Sequence, residues 1–350
     1  MSECAPMAST PEVVVFGAGS IGCYVGGRLA ATGATVRFIG RERVVAEVCA
    51  HGLHLTDWQG ADLKVPAADV RIDTGPEALS TADLVLVTVK SAATEEAGQT
   101  LAPRLKSGAV VISFQNGLHN AAVLRGLLPG HTVLTGMVPF NVAAQGQGHF
   151  HAGSEGTLEV ERHAVLAPFV EAFTRAGLAL KQHADIVAVQ WAKLLFNLNN
   201  ALNALANLPL KEELSQRAWR RCLALAQGEA LAVLGRAGVK PAKLTPLPPG
   251  WIPVLLGSPD AVFGVLAKKM LAIDPKARSS MWDDLHAGRK TEVDYLNGEV
   301  VRLAHQHGLS APVNSRLVEL IREAEGGQRR PWTGEALLAD LKKAELTNGS

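Results

Sequence analysis

Only four cysteines occur in the 350 residues, Cys4, Cys23, Cys49 and Cys222. Their spacings match neither a disulfide framework nor a metal-ligand pattern, so no metal is expected. Thiols this sparse suit a reducing compartment, each read as a small buried hydrophobe, and the expected location is the cytoplasm. An excess of charge is also lacking. Lys and Arg number 34 against 33 Asp and Glu, a formal net charge of +1. That balance gives no electrostatic argument for a nucleic acid or an anionic membrane surface as partner. No run of about 18 uncharged apolar residues appears, so no membrane-spanning helix is expected. Residues 1–11 have neither the basic n-region nor the apolar h-region of a signal peptide, and are expected to be a flexible leader. No solenoid-type repeat is present. What remains is 47% hydrophobic and 19% charged, in a chain long enough for about two domains.

The stretch that organises the rest is Gly17-Ala18-Gly19-Ser20-Ile21-Gly22. The apolar run Val13–Phe16 before it reads as a buried strand. The residues from Ser20 to near Gly33 read as a helix. Strand, glycine turn and helix make the context of a dinucleotide fingerprint. Gly17 allows the tight turn, Gly19 lets backbone approach a pyrophosphate, and Gly22 lets helix and strand pack closely. The first helical amides and the positive end of the helix dipole then hold phosphates. The next strand, Thr35–Ile39, runs into Gly40-Arg41 with no acid at its tip. Sites that prefer NAD place an acid there for the ribose 2′-hydroxyl. Arg41, with Arg43 near, suits a 2′-phosphate instead, while Glu42 lies one residue too far on. The cofactor expected is NADPH.

Further strands are predicted at Leu53–Val65 (two weak ones), Val70–Ile72, Leu84–Val89, Ala109–Phe114 and Thr132–Val138. Helices are predicted at Val44–His51, Ala93–Leu105 and Leu118–Leu127. This alternation predicts an α/β Rossmann-type, doubly wound parallel sheet. Ligands of such sheets lie outside the carboxyl ends of the strands, the rim on which Arg41, Lys90 and Asn116 fall. An antiparallel strand at Gly156–Val160, a helix at Ala164–Ala176 and a strand at Leu178–Lys181 close this domain, placed at 12–184. Beyond Ala184 almost only helix is predicted, an all-α domain over 185–326. Its helices are expected at Ile186–Leu205, Leu214–Gly235, Ser258–Ala272, Arg278–Ala287, Thr291–Gly308 and Val313–Glu325. Pro241–Pro259, with six prolines, reads as a linker. Residues 327–350 read as a tail packed weakly or not at all.

In the helical half, Lys193 and Asn197 are four residues apart and share a helix face, with Asn200 one turn further on. Leu194, Leu198, Ala201, Leu202 and Leu205 form the adjoining apolar stripe. Lys193 is then either a lysine snorkelling to solvent or a partly shielded amine of lowered pKa, suited to donating a proton. Thr291-Glu292 is expected to open a helix that carries Val293, Leu296 and Val300 inward, with Glu292 as an acid favouring the helix dipole. Ser279 and Ser280 read as capping residues.

The span from Val13 to about Glu325 resembles the ketopantoate reductases (2-dehydropantoate 2-reductases). The resemblance rests on GAGSIG, Lys90 at the end of VTVK, Gln115-Asn116-Gly117, Trp191-x-Lys193-Leu-x-x-Asn197, Ser279-Ser280-Met281 with Asp283, and Lys290-Thr-Glu-Val-Asp-Tyr-Leu-Asn-Gly298. It implies an NADPH-dependent reductase converting 2-dehydropantoate to pantoate in pantothenate biosynthesis. It implies Lys193 as general acid, with Glu292 near substrate and cofactor ribose. It further implies that Asn116, Asn197 and Ser280 line the site and that Arg41 and Lys90 serve the cofactor; Asn200, next to Ala201, is a further substrate-binding candidate that does not automatically replace the missing Asn. Two departures bear on the substrate. Ala277 and Ala201 stand where many members carry Asn, so a paralogue reducing another branched 2-oxo acid is the rival within the class. An NADPH-binding or sensing protein without catalysis is the rival outside it. The oligomeric state is left open, a homodimer being one option.

Overall fold

A computed structural model describes residues 11–266 and 274–347. The leader expected over residues 1–11, and Cys4 with it, lies outside the described residues but for Pro11. The chain divides into two compact units. The first runs to Gln115 and resumes over His119–Ala184; the second takes Asn116–Leu118 and everything from Asp185.

The strands of the first unit are β1 (Glu12–Phe16), β2 (Thr35–Ile39), β3 (Leu53–Asp57), β4 (Asp62–Val65), β5 (Arg71–Asp73), β6 (Leu84–Val87), β7 (Val110–Ser113), β8 (Thr132–Met137), β9 (Val142–Gly146), β10 (His149–Ala152), β11 (Leu158–Glu161) and β12 (Leu180–His183). Its helices are α1 (Ser20–Ala31), α2 (Glu42–His51), α3 (Thr94–Leu101), α4 (Asn120–Leu127) and α5 (Ala167–Arg175). Among the described residues the main sheet has eight strands in the order β12-β11-β8-β7-β6-β1-β2-β5. The pairings through β5, β2, β1, β6, β7 and β8 are parallel, and β11 pairs antiparallel with β8. β6 and β7 read as uninterrupted apolar runs because both of their faces are covered. β1 sits between β2 and β6, so strand order reverses on either side of it. That switch point is where a doubly wound sheet opens its ligand crevice, and the glycine turn leaves β1 there.

A second sheet of four strands, β4-β3-β10-β9, was not predicted beyond its first two strands. β9 is largely exposed, and β10 buries only Phe150 and Ala152. Their apolar signal is too thin to read locally. Cys23 and Cys222 are buried, and desolvation pushes both thiols up to about 12. Cys49, by contrast, is exposed and departs from the buried-hydrophobe reading.

The second unit is helical: α6 (Ile186–Asn197), α7 (Asn199–Ala206), α8 (Leu210–Ser215), α9 (Arg217–Arg236), α10 (Ile252–Gly257), α11 (Asp260–Leu266), α12 (Ser280–His286), α13 (Asn297–Gln306), α14 (Pro312–Glu325) and α15 (Gly334–Thr347). Among the described residues no helix is long and apolar enough to cross a membrane.

Four expectations need correction here. The helix foreseen over Ile186–Leu205 is interrupted at Leu198, whose amide still bonds to the Leu194 carbonyl at 3.0 Å. The proline-rich stretch is not only a linker. Pro253 falls in the first turn of α10, where its missing N–H costs nothing, and Ile252, Leu255 and Leu256 bury against the core. The foreseen helix over Thr291–Gly308 begins as a 3₁₀ turn, Val293–Tyr295, and breaks at Leu296 (φ −115°, ψ −88°) before α13. Over residues 327–347 the stretch is no loose tail: α15 buries Leu337, Leu338 and Leu341 in the main helical core. Gly334 makes this fit possible, since a Cβ there would lie 2.8 Å from that of Ala218. The part of the predicted Ser258–Ala272 helix beyond Leu266 lies outside the described residues.

Candidate active site

In the first unit the fingerprint glycines divide their work. Gly17 has φ +111°, and a Cβ there would sit 2.6 Å from the Val89 backbone nitrogen. The amides of Gly17 and Ala18 both donate to the Ile39 carbonyl, at 3.0 and 2.9 Å, which ties the turn to the tip of β2. A Cβ on Gly22 would lie 2.4 Å from the Gly17 carbonyl oxygen and 2.6 Å from Thr88 Oγ1. Thr88 itself donates to that carbonyl at 2.7 Å. Gly19 is different. It is exposed, and a Cβ there would meet nothing within 4 Å. It caps α1 without a side-chain hydrogen bond, and no acid stands in the first turn. The amides of Ser20, Ile21 and Gly22 precede the first helical bond, from Cys23 N to Gly19 O at 2.8 Å. Such a helix start offers donors and positive dipole to an anion in open space, so these residues fit a dinucleotide pyrophosphate.

The strand tips surround this turn. A Cβ on Gly40 would lie 2.8 Å from that of Ala18, so β2 ends against the glycine loop. Arg41 follows, exposed, as the N-cap of α2. Glu42 is the first residue of that helix, where an acid favours the dipole, and Arg43 is drawn to Glu47 at 3.7 Å. Lys90 is exposed at the start of the 3₁₀ turn Ser91–Ala93. Gln115 does not join the rim. It is buried, and its amide donates to the Val89 carbonyl at 3.0 Å and to Thr94 Oγ1 at 2.8 Å. The glutamine of Gln-Asn-Gly thus clamps two strand ends.

The second unit gathers the remaining candidates. Asn116 Nδ2 donates to Glu292 Oε2 at 3.0 Å. Asn197 Nδ2 reaches Asn116 Oδ1 at 3.5 Å. Gln190 Nε2 holds the Gly117 carbonyl at 3.1 Å, and Gly117 turns the chain with φ +89°. Glu292 does not act as a helix-opening acid, because the chain around it folds as a 3₁₀ turn that its carbonyl accepts from Tyr295 N. Its carboxylate points instead to Asn116. The inward reading of Val293, Leu296 and Val300 holds. Lys193 stands one turn before Asn197 on α6, flanked by buried Ala192 and Leu194. It is half-buried, and desolvation pushes its amine down from 10.5 to about 8.

Ser279 and Ser280 play separate parts. Ser279 is the buried N-cap of α12: its Oγ accepts from Trp282 N at 3.1 Å and donates to the Asn200 carbonyl at 3.2 Å. Ser280 is the exposed first residue of α12. The N-terminus of α12 is thereby fixed beside Asn200 on α7. Sequence reasoning missed the polar residues beneath it, Asn199, Asn203 and Glu213, all buried. Two asparagines spaced i, i+4 in an apolar helix were the available signal.

A parallel sheet with a nucleotide-binding glycine turn, joined in sequence to an all-helical unit carrying a lysine of lowered pKa, defines the class: a Rossmann-type oxidoreductase. The chain belongs to the ketopantoate reductase family. Residues 13–164 match the family model described as ketopantoate reductase PanE/ApbA, and residues 185–325 match the model of its C-terminal part. It is similar to a 2-dehydropantoate 2-reductase of Halobacterium salinarum, 31% identical over 329 residues that cover 90% of this chain and 99% of that protein. The corresponding protein of Archaeoglobus fulgidus is 29% identical, covering 90% and 98%. The crystal structure of a PanE/ApbA family ketopantoate reductase from Ralstonia eutropha JMP134 matches with a TM-score of 0.76 at 32% identity, covering 91% of this chain and all 100% of that one.

Proposed function

We propose that this protein reduces 2-dehydropantoate to pantoate with NADPH, in the cytoplasm, as a step of pantothenate biosynthesis. The observation that carries the reading is Lys193, its amine lowered to about 8, one helical turn from an Asn197 that is joined through Asn116 to Glu292. When bound, the reduced nicotinamide supplies the hydride that C2 of the 2-oxo acid takes up. Lys193 holds the proton for the oxygen on that carbon. Near neutral pH the amine is still largely charged, yet gives up its proton more readily than an exposed lysine. Its charge also stabilises the negative oxygen as it forms. Asn197, Asn200 and Ser280 orient the carboxylate and hydroxyl of the substrate. Asn116 holds the Glu292 carboxylate in one orientation beside substrate and cofactor ribose. The Gly17–Gly22 turn takes the pyrophosphate, Arg41 the 2′-phosphate, and Lys90 the cofactor on the same rim.

The second reading, a reductase of another branched 2-oxo acid, rests on Ala277 alone. Ala201 is fully buried in the helical core, so no substrate contact comes from that position. Following NADPH oxidation with 2-dehydropantoate and with a panel of branched 2-oxo acids decides between them. Preferential turnover of 2-dehydropantoate supports the first reading. A better substrate elsewhere in the panel supports the second, and no turnover with any of them leaves a nucleotide-binding protein.

A further inference from the structure

Beneath α12 lies a buried polar cluster that the proposed chemistry does not use. Glu213 on α8 and Asn203 on α7 have no exposed surface, and Ser279 and Asn199 are nearly as deep. Asn203 joins three parts of the unit. Its Nδ2 donates to Glu213 Oε2 and to the Leu208 carbonyl, the latter at 2.9 Å. Its Oδ1 accepts the Ser279 amide at 2.8 Å. Ser279 in turn caps α12 and bonds to the Asn200 carbonyl. A continuous hydrogen-bonded line therefore runs from Glu213 to the backbone that carries Ser280 and Asn200.

We propose that Glu213 is a positioning residue of the substrate site: by orienting Asn203 it fixes the N-terminus of α12, and so sets Ser280 and Asn200 for the 2-oxo acid. The inference rests on the substrate-binding reading of those two residues. A charged carboxylate would be a costly way to hold an amide at this depth, whereas a neutral acid accepts the same hydrogen bond. Glu213 Oε1 is buried with no hydrogen-bond partner. A carboxylate oxygen left without a donor in the core is better accommodated protonated than charged. Burial acts in the same direction, pushing this carboxyl up from 4.5 to about 8 against the lowering effect of Asn203 and Asn199. As a neutral acid, Glu213 still accepts from Asn203 through Oε2. The contact to α7 is then kept without a buried charge.

The test compares Glu213→Gln and Glu213→Leu in the full chain. Glutamine keeps one donor and one acceptor in the same shape; leucine keeps the volume alone. Amide hydrogen exchange over residues 277–286 reads the position of α12 without any substrate. Glu213→Leu should speed exchange there roughly 3- to 10-fold, with α1 unchanged, and raise KM for 2-dehydropantoate by a similar factor while KM for NADPH stays level. Glu213→Gln should restore wild-type values of all three. The proposal fails if leucine leaves exchange and KM unchanged, or if glutamine is as damaging as leucine. Should the leucine variant not fold, the infrared difference spectrum of wild type minus Glu213→Gln at pH 7 decides. A protonated-carboxyl band is expected, and its absence overturns the neutral acid. Wild-type protein with no turnover of 2-dehydropantoate would sink the assigned reaction, whereas the exchange result would still judge the positioning role.

Discussion

Asn116 and Glu292, 176 residues apart in the chain, are joined by a 3.0 Å hydrogen bond from Nδ2 to Oε2. The bond is charge-assisted when the carboxylate is ionised, and such bonds are worth about 1.5–3 kcal/mol. Asn116→Ala should therefore lower kcat/KM for the 2-oxo acid roughly 10- to 100-fold. Glu292→Ala should raise KM as well as lower kcat. If either change alters only the thermal midpoint, the pair is structural.

Lys193→Ala should reduce kcat about 10²–10⁴-fold and leave NADPH affinity nearly unchanged, the mark of a lost proton donor. In wild type, kcat should fall as pH rises through about 8, where the amine loses its proton. Stability responds with the opposite sign. Between about 8 in the folded protein and the ordinary 10.5 in the unfolded chain, the unfolded chain binds more protons. The lysine's contribution to stability therefore rises with pH across that window. Lys193→Met should accordingly be more stable than wild type at neutral pH and lose that advantage by pH 10.5. A flat kcat profile between pH 7 and 9 would remove Lys193 from proton transfer.

Arg41→Ala should weaken NADPH binding roughly 10- to 100-fold and barely touch NADH, because only NADPH carries the 2′-phosphate. Fluorescence titration with both cofactors measures the split. Equal weakening would show that Arg41 does not read the phosphate.

Two glycine substitutions separate packing from binding. In Gly22→Ala the new methyl meets the Gly17 carbonyl oxygen at 2.4 Å, so the protein should lose about 1–3 kcal/mol of stability. In Gly19→Ala the methyl meets no protein atom within 4 Å, and φ is −87°, so folding should be almost unaffected. NADPH affinity should nevertheless fall, since that open space is where backbone and pyrophosphate approach. A Gly19→Ala protein that binds NADPH normally would exclude the turn as the phosphate site.

Ala277→Asn addresses the substrate. The Ala277 carbonyl accepts the Leu210 amide at 2.9 Å, so the backbone is already anchored and an added side chain need not disturb it. One neutral hydrogen bond is worth about 0.5–1.5 kcal/mol, so for 2-dehydropantoate kcat/KM should rise roughly 2- to 10-fold. A fall, together with good wild-type turnover of a more apolar 2-oxo acid, would favour the paralogue, because the new amide would then be buried unpaired.

The sequence by itself determined what depends on near neighbours in the chain. Val13–Phe16 followed by Gly17-Ala18-Gly19-Ser20-Ile21-Gly22 can form only a strand, a tight turn and a helix start, because φ near +111° at Gly17 and the close approach at Gly22 exclude a side chain. The alternation of apolar strands with helices likewise marked the parallel sheet, and the four-residue spacing put Lys193 and Asn197 on one face of α6. The tertiary structure alone decided which polar groups meet. Gln115 and Asn116 are adjacent, yet one is buried as a strand clamp and the other faces Glu292. Local periodicity cannot assign them, since a hydrogen-bond partner tens of residues away has no fixed phase in the sequence. The same holds for β9 and β10, whose apolar residues are too few to announce a sheet, and for α15, whose leucines acquire a core only once α9 is in place. Glu213 shows the limit most plainly: as a letter it is a surface acid, and only burial beside Asn203 pushes its carboxyl up to about 8.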